Sequence, residues 1–301
     1  MKKNILLLFI LLMTSFSLIS CKKESLEDDL SKEDYEIFKN NISDDLFIKA
    51  SKIEEKTLGN SINKEYKKKE DNENNIDKLP SIEVFKEGDS IYKSLKNSIV
   101  ILDENKKIVY VDLKSPLASN DRENVEELIS SKILGDYKLY FKKDNRTNVY
   151  VKNDDLINLG SALIVEKTNT TINKIIKIRD VEETKMPEEN LHTIEESKKA
   201  LSSLKLFENA DYLSEEILLT NSDMIRFLDG YSSQPGSVKF TNNLDNKNYF
   251  LTYRLAFKYL IENNNYEYVI VYTNPYNDEV YSWLSFVDIN TNYPEFDFNR
   301  K

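Results

Sequence analysis

The sequence predicts an α+β protein in which antiparallel sheets pack against helices. The first observation is a series of short β-rich runs, separated by polar turn segments, between Ser98 and Ile178. The second is a longer stretch, Tyr249–Ile261, in which apolar and polar residues alternate as they do in a strand with one buried face. The third is a set of segments whose apolar residues recur every three or four positions, which is typical of amphipathic helices.

The first 21 residues predict an export signal. Met1–Asn4 is a short basic start, an apolar run extends from Ile5 to Ile19, and a small residue, Ser20, follows. This run is shorter than the roughly 20 apolar residues that a membrane-spanning helix needs. Residues 1–20 are therefore predicted to be a signal peptide that is removed.

The end of this signal resembles the lipobox of bacterial lipoproteins, and the resemblance covers residues 1–21 only. It implies diacylglyceryl transfer to the Cys21 sulfur, cleavage before Cys21, and a membrane anchor of two or three acyl chains. Lys22 stands where the common inner-membrane retention signal has Asp, so the envelope site predicted is the outer membrane, on its periplasmic or surface face. The alternative is an ordinary secretory signal with a chance cysteine, or a buried free cysteine. The residues that carry the resemblance are Leu18, Ile19, Ser20 and Cys21, the only cysteine.

The next segments are predicted to be a tether, a helix and a linker. Residues 21–34 are interpreted as the lipid anchor and a disordered tether, because 22–34 are almost all polar. Within 35–78, helical spacing predicts one amphipathic helix over 35–53, and a charged linker covers 63–78. This helix would either dock on its own domain or bind a partner. Its apolar positions are Tyr35, Phe38, Ile42, Leu46 and Ile53.

Two subdomains, 79–183 and 190–301, are predicted on either side of a charged segment that contains Pro187. The first should hold three hairpins and a helix over 121–134. The predicted hairpins join 99–102 to 108–111, 138–141 to 148–151, and 162–165 to 172–178.

The second subdomain is predicted to begin with two helices and to end in a meander. Thr193 and Glu196 have capping-box spacing at the start of the first helix, and the second is predicted over Ser214–Leu228. An antiparallel meander of three to four strands is predicted at the end of the chain, because short turns join three β-rich runs. These runs are Tyr249–Ile261, 266–273 and 280–289. In element order alone, this half resembles the cystatin-like and nuclear-transport-factor-2-like folds.

The composition argues against several classes of function. The chain has 42 Lys and Arg against 52 Asp and Glu, a net charge of −10, whereas binding of nucleic acid depends on basic side chains. The six glycines are too dispersed for a dinucleotide-binding loop, and the Walker and Gly-x-Ser-x-Gly motifs are missing. We therefore expect no nucleic-acid partner and no cofactor.

Few residues suit catalysis or metal binding. A Ser-His-Asp triad could form only through His192, the one histidine, whose polar surroundings favour an exposed linker instead. One histidine and one cysteine cannot build the usual zinc sites, so no metal is predicted. Adjacent carboxylates are expected to be solvated on the protein surface. Alternatively, one of them could pair with an acid from a distant segment and form the two-carboxylate site of a glycan hydrolase. These pairs are Asp154–Asp155, Glu188–Glu189, Glu195–Glu196 and Glu215–Glu216.

Three aromatic residues of the meander are candidates for a ligand site. Tyr253, Tyr259 and Trp283 would line a groove if the meander is concave, or would pack against the preceding helices.

The function expected from these patterns is that of an envelope lipoprotein with a non-catalytic binding or structural role. Its partners would be the membrane, through lipidated Cys21, and an envelope protein or a small ligand. Two alternatives stay open, a glycan hydrolase that depends on carboxylates and an assembly accessory. The accessory would capture other proteins through the 35–53 helix or an exposed strand edge.

Overall fold

The computed structural model describes residues 24–41, 46–67, 79–114, 135, 137–143, 145–153, 156–168, 171–181, 190–202, 210–229, 239–240, 248–260 and 266–288. The helices are α1 Leu26–Asp29, α2 Lys32–Asn41, α3 Lys52–Tyr66, α4 Ile194–Ser202 and α5 Ser222–Asp229, with a 3-10 turn at Leu159–Ser161. The strands are β1 Phe47–Lys49, β2 Ser90–Ser94, β3 Ile99–Leu102, β4 Ile108–Asp112, β5 Tyr137–Lys142, β6 Thr147–Lys152, β7 Ile157–Asn158, β8 Leu163–Thr168, β9 Thr171–Lys177, β10 Asp211–Thr220, β11 Lys239–Phe240, β12 Phe250–Leu260, β13 Tyr266–Thr273 and β14 Val280–Asp288.

These strands form two sheets. The large sheet has eight strands in the order β1-β2-β3-β4-β9-β8-β6-β5, and the small sheet has six in the order β11-β14-β13-β12-β10-β7. Every pairing is antiparallel except the short parallel pairing of β7 with β10. The protein is thus a mixed α+β protein made mainly of antiparallel strands, as the sequence predicted.

Buried side chains from both sheets meet in one central cluster. Ile101 and Ile164 of the large sheet and Ala256 and Tyr272 of the small sheet belong to it, together with residues of α3 and α5 such as Met224. Burial of this apolar surface is the main force that holds the two sheets together. The two segments predicted as subdomains therefore share a core.

Each sheet also has an outer face covered by helices. On the large sheet, Leu26 of α1 and Tyr35 of α2 pack with Tyr92 and Val100. On the small sheet, Leu201 of α4 packs against the meander strands. Both sheets are therefore buried on two faces in their central strands.

The segments predicted as hairpins and meander form the antiparallel pairs β3–β4, β5–β6, β8–β9, β12–β13 and β13–β14. Local chemistry explains the first turn, where Asp103 Oδ1 accepts hydrogen bonds from the N–H groups of Asn105 and Lys107 at 2.9 and 2.8 Å. Lys106 has a φ of 62°, a left-handed conformation that closes the turn. The predicted helix over 121–134 lies outside the described residues.

The N-terminal predictions are wrong in two respects. Residues 24–34 are not a disordered tether, because they form α1 and the start of α2. The single helix over 35–53 is also wrong, since the chain folds back after α2 to form β1 before α3 begins. Its proposed apolar face is consequently divided, with Tyr35 buried and Leu46 and Ile53 exposed. The first four residues of the linker predicted over 63–78 are helical, because α3 continues to Tyr66, and residues 68–78 lie outside the described residues.

The helix predicted over Ser214–Leu228 is also wrong in its first half. Residues 211–220 form β10, which pairs along its length with β12, and only Ser222–Asp229 are helical. The Asn221 side chain accepts a hydrogen bond from the N–H of Met224 at 2.8 Å and so caps α5. Pairing with a long neighbouring strand outweighs the local helical pattern.

β12 differs from the expected strand with one buried face. Both the apolar residues and the polar Thr252 and Arg254 between them are buried. The polar face is buried because it points toward the large sheet, where hydrogen bonds and an ion pair satisfy it.

Candidate functional site

The N-terminal segment that follows the predicted lipobox is docked on the edge of the large sheet. The backbone carbonyl of Glu24 accepts a hydrogen bond from the N–H of Lys49 at 2.9 Å, and Ser25 forms an antiparallel bridge with Ile48. The Glu24 carboxylate also binds Lys49 Nζ at 2.6 Å. Glu24 is only three residues after Cys21. The residues of the predicted lipobox lie outside the described residues: Leu18, Ile19, Ser20 and Cys21.

α1 fixes this segment through one apolar and several polar contacts. Leu26 is completely buried in the outer cluster of the large sheet. The N–H and hydroxyl of Ser25 both donate to Asp28 Oδ2 at 2.9 Å, which caps the helix. Asp29 lies 3.0 Å from the ammonium of Lys106, in the β3–β4 turn. The acidic residues that suggested disorder in the sequence are therefore partners in the fold.

The candidate groove aromatics take part in packing. Tyr253 is buried, and Trp283 packs against the same cluster, which includes Leu201 of α4. The Tyr253 hydroxyl donates to the backbone carbonyl of His192 at 2.7 Å, and burial raises the pKa of this phenol. Tyr259 belongs to β12, but its side chain is outside the described set. The arrangement of Tyr253 and Trp283 matches the packing interpretation of these residues.

His192 takes part in a polar cluster between the start of α4 and the β13–β14 turn. Its Nδ1 lies 2.7 Å from Asp278 Oδ2, and its backbone N–H donates to the carbonyl of Pro275 at 2.8 Å. The hydroxyl of Ser197 donates a short hydrogen bond to the other oxygen of Asp278. The half-buried His192 is therefore held by the fold, in contrast to the exposed linker histidine that its sequence context favoured.

The order of these contacts differs from that of a catalytic triad. In a triad the histidine lies between the serine and the carboxylate, so that imidazole can remove the proton of the serine hydroxyl. Here Asp278 lies between Ser197 and His192, and Ser197 donates to the carboxylate. The cluster can attach α4 to the turn, but this geometry does not activate Ser197 as a nucleophile.

The predicted capping box at α4 is present. The N–H and hydroxyl of Thr193 donate to Glu196 Oε2 at 2.7 and 3.0 Å, and the N–H of Glu196 donates back to the Thr193 hydroxyl at 3.2 Å. The hydrogen bonds from the Thr193 backbone and hydroxyl hold the pKa of Glu196 below its ordinary value. Glu196 therefore serves the helix start.

A buried ion pair lies between the two sheets. Arg254 Nη1 is 3.1 Å from Glu216 Oε2, and the Tyr140 hydroxyl donates to the same oxygen at 3.0 Å. Arg254 Nε donates to the Tyr272 hydroxyl at 3.3 Å. The other carboxylate oxygen, Oε1 of Glu216, is buried without a hydrogen-bond partner. Sequence reasoning did not find this pair, because Arg254 was assigned to an exposed strand face.

The adjacent carboxylates of β10 point in opposite directions. Glu216 faces the large sheet, whereas Glu215 lies 3.4 Å from the ammonium of Lys198 on α4 and accepts a hydrogen bond from Tyr212. Successive side chains of a strand alternate between its faces, so these two acids cannot act on one substrate bond. Asp154–Asp155 and Glu188–Glu189 lie outside the described residues.

A second buried ion pair joins the residue before β2, Asp89, to Arg179, which follows β9. Arg179 forms two hydrogen bonds with Asp89, of 3.0 and 2.7 Å, and a third with the carbonyl of Val84 at 2.6 Å. Lys86 Nζ donates to the Arg179 carbonyl at 2.7 Å. The fork geometry suits guanidinium and carboxylate groups, which explains a structural role for this pair.

In the described part of the chain, no group of three or more His, Cys, Asp or Glu residues could hold a metal ion. No described helix combines the length and the apolar character needed to cross a membrane.

Comparison with known proteins places the chain in no family. No protein-family model, no curated protein and no solved structure matches its sequence or its fold.

Proposed function

We propose that this protein is a lipid-anchored lipoprotein of a bacterial envelope whose folded body has a binding or structural role. The observation that carries the proposal is the position of Glu24. Cleavage before Cys21 would leave a mature chain whose third residue after the lipidated cysteine already belongs to the fold. Such a body needs no spanning helix, because two or three acyl chains anchor a protein firmly.

The non-catalytic part of the proposal is supported by how the reactive side chains are used. Ser197 and His192 both bind Asp278, and two buried acids, Asp89 and Glu216, bind arginines. Each of these groups neutralises or orients a neighbour within the fold, as structural ion pairs do.

We also propose that the C-terminal half has a cystatin-like or nuclear-transport-factor-2-like arrangement. The order of α4, α5 and the β12–β13–β14 meander supports this proposal. The analogy rests on two consecutive helices before the meander. In the structure β10 lies between α4 and α5 in sequence and pairs with β12.

The anchor can be tested by changing Cys21 to Ser in the producing bacterium. We expect the variant to lose incorporation of labelled palmitate and to leave the membrane fraction. A matched control combines this change with Asn60→Cys on the exposed face of α3, which restores a thiol at a position without the lipobox. Membrane retention and labelling of Cys21→Ser equal to those of the unchanged protein would contradict the proposal.

The role of the body requires a separate measurement. Purified residues 22–301 are expected to release no product from isolated peptidoglycan or envelope glycan. Reproducible turnover of either glycan would contradict the non-catalytic role and would instead support the carboxylate-dependent hydrolase.

A further inference from the structure

We propose that one end of the large sheet, marked by the exposed side chain of Ile53, lies against the lipid bilayer in which Cys21 is anchored. This inference rests on the proposed lipidation of Cys21. It adds a defined orientation to the anchored body and a defined contact surface, with lipid as the partner.

The position of the anchor follows from the bridge between Ser25 and Ile48. Because this bridge is antiparallel and the carbonyl of Glu24 binds the N–H of Lys49, the N-terminal side of Glu24 lies where β1 ends. Cys21 precedes Glu24 by three positions, a span of about 11 Å at most for an extended chain. A chain that continues in this direction would place the acylated cysteine beyond the Lys49 end of β1, which we call the anchor end.

The anchor end leads directly into α3. Lys49 is the last residue of β1, Ser51 caps α3, and Ile53 lies in the first helical turn. Ile53 is 83% exposed, and it is the only large apolar side chain of α3 that points into solvent. An isolated exposed isoleucine is ordinary on a protein surface, so its exposure alone carries no argument. The inference depends on the position of Ile53 next to the anchor end.

The surroundings of Ile53 suit the interface between headgroups and acyl chains. The side chain of Lys52 is exposed and its ammonium lies 2.8 Å from Glu55, and Lys56 is exposed one turn further along α3. Lysines at such an interface place their stems on apolar groups and their charges among phosphates, while an apolar side chain enters the acyl boundary. Glu54 is also exposed here, so we assign the contact to anchoring and to Ile53 and not to net charge.

The opposite end of the same strands provides a natural control. Leu95, in the turn after β2, is 89% exposed, and the neighbouring Ser94 pairs with Phe47 at the other end of β1. Because Lys49 at the anchor end pairs with Tyr92, Leu95 lies three residues, or about 10 Å, further along the strand direction. Ile53 and Leu95 are therefore two equally exposed apolar side chains that should differ in distance from the membrane.

The test uses the intact lipoprotein with Ile53→Cys or Leu95→Cys, each labelled with a thiol-reactive bimane. Lipidated Cys21 has no free thiol, so mass spectrometry should find one label on each variant. The proteins are placed in vesicles of phosphatidylethanolamine and phosphatidylglycerol that carry nitroxide-labelled headgroups. We expect the nitroxide to quench the label at residue 53 at least several-fold more strongly than the label at residue 95.

The readouts separate this inference from the function on which it rests. Palmitate incorporation into Cys21 reports lipidation, and its absence would overturn both proposals. Palmitate incorporation together with equal quenching at the two positions would overturn the orientation alone. Because both side chains are exposed, neither substitution should alter unfolding, which a denaturant titration checks.

Discussion

Arg254 and Glu216 lie directly opposite each other on β12 and β10, and their side chains form an ion pair of 3.1 Å that is sealed between the two sheets. Arg254 also reaches Tyr272, and Glu216 also accepts from Tyr140 of the large sheet. The pair thus ties a strand of one sheet to a strand of the other.

We predict that Arg254→Met destabilises the protein by about 3–5 kcal/mol, because it leaves the carboxylate of Glu216 buried without its cation. The double variant Glu216→Gln with Arg254→Met should recover a large part of this loss. Urea unfolding measures both. The exposed pair of Lys114 and Asp112 is the control, and Lys114→Met should cost at most about 1 kcal/mol. Equal losses of unfolding free energy in Arg254→Met and Lys114→Met would contradict the structural role assigned to Arg254.

Gly59 is predicted to resist replacement even though it lies inside a helix. A Cβ atom at this position would overlap the ring of Phe85, whose backbone is held by Asn63 through hydrogen bonds of 2.7 and 2.8 Å. Gly59→Ala should therefore destabilise the protein by about 1–3 kcal/mol, despite a gain of about 1 kcal/mol in helix propensity. Asn60→Ala, on the exposed face of α3, should be neutral or stabilising in the same denaturation experiment.

Stability is predicted to fall in alkaline solution because of two buried tyrosines. Burial raises the pKa of Tyr66 and Tyr110 well above the ordinary value of 10.0, and their rings meet edge to face. The folded protein then keeps protons that the unfolded chain releases above about pH 10, so this stabilisation is complete below that pH and is lost as pH rises. Tyr66→Phe should make the free energy of unfolding less dependent on pH between about pH 9 and pH 11. Identical pH dependence in the two proteins would contradict the prediction.

Ser197 is predicted to be unreactive toward fluorophosphonates. Its hydroxyl donates to Asp278, and the histidine that would have to accept its proton is on the far oxygen of that carboxylate. Intact-mass analysis should find no adduct under conditions in which a serine hydrolase in the same sample is fully modified. An adduct that maps to Ser197 would show that this cluster has catalytic geometry in solution.

The sequence predicted best those elements whose evidence is local. The turn from Asp103 to Lys107 contains its own hydrogen-bonding aspartate, and the alternating residues of β12 are visible without knowledge of the partner strand. The second buried face of β12 was not visible, because Thr252 and Arg254 are polar. Their burial depends on Thr273, whose carbonyl accepts from Thr252, and on Glu216.

The N-terminal segment was mispredicted for a related reason. Its composition is that of a disordered chain, and one leucine, Leu26, supplies the completely buried apolar contact of α1. Whether acidic residues such as Glu24 and Asp29 are solvated or paired depends on Lys49 and Lys106, which are distant in sequence. No window of neighbouring residues contains that information.

The small strand β7 has a mechanical consequence. It pairs with β10 in the small sheet, yet the strands immediately before and after it in the chain, β6 and β8, belong to the large sheet. A shearing motion of one sheet over the other would have to break this pairing or extend the short connections beside it. We therefore expect the two sheets to respond to force and to thermal fluctuation as one stiff body, with amide hydrogen exchange at β7 as slow as in the core strands around it.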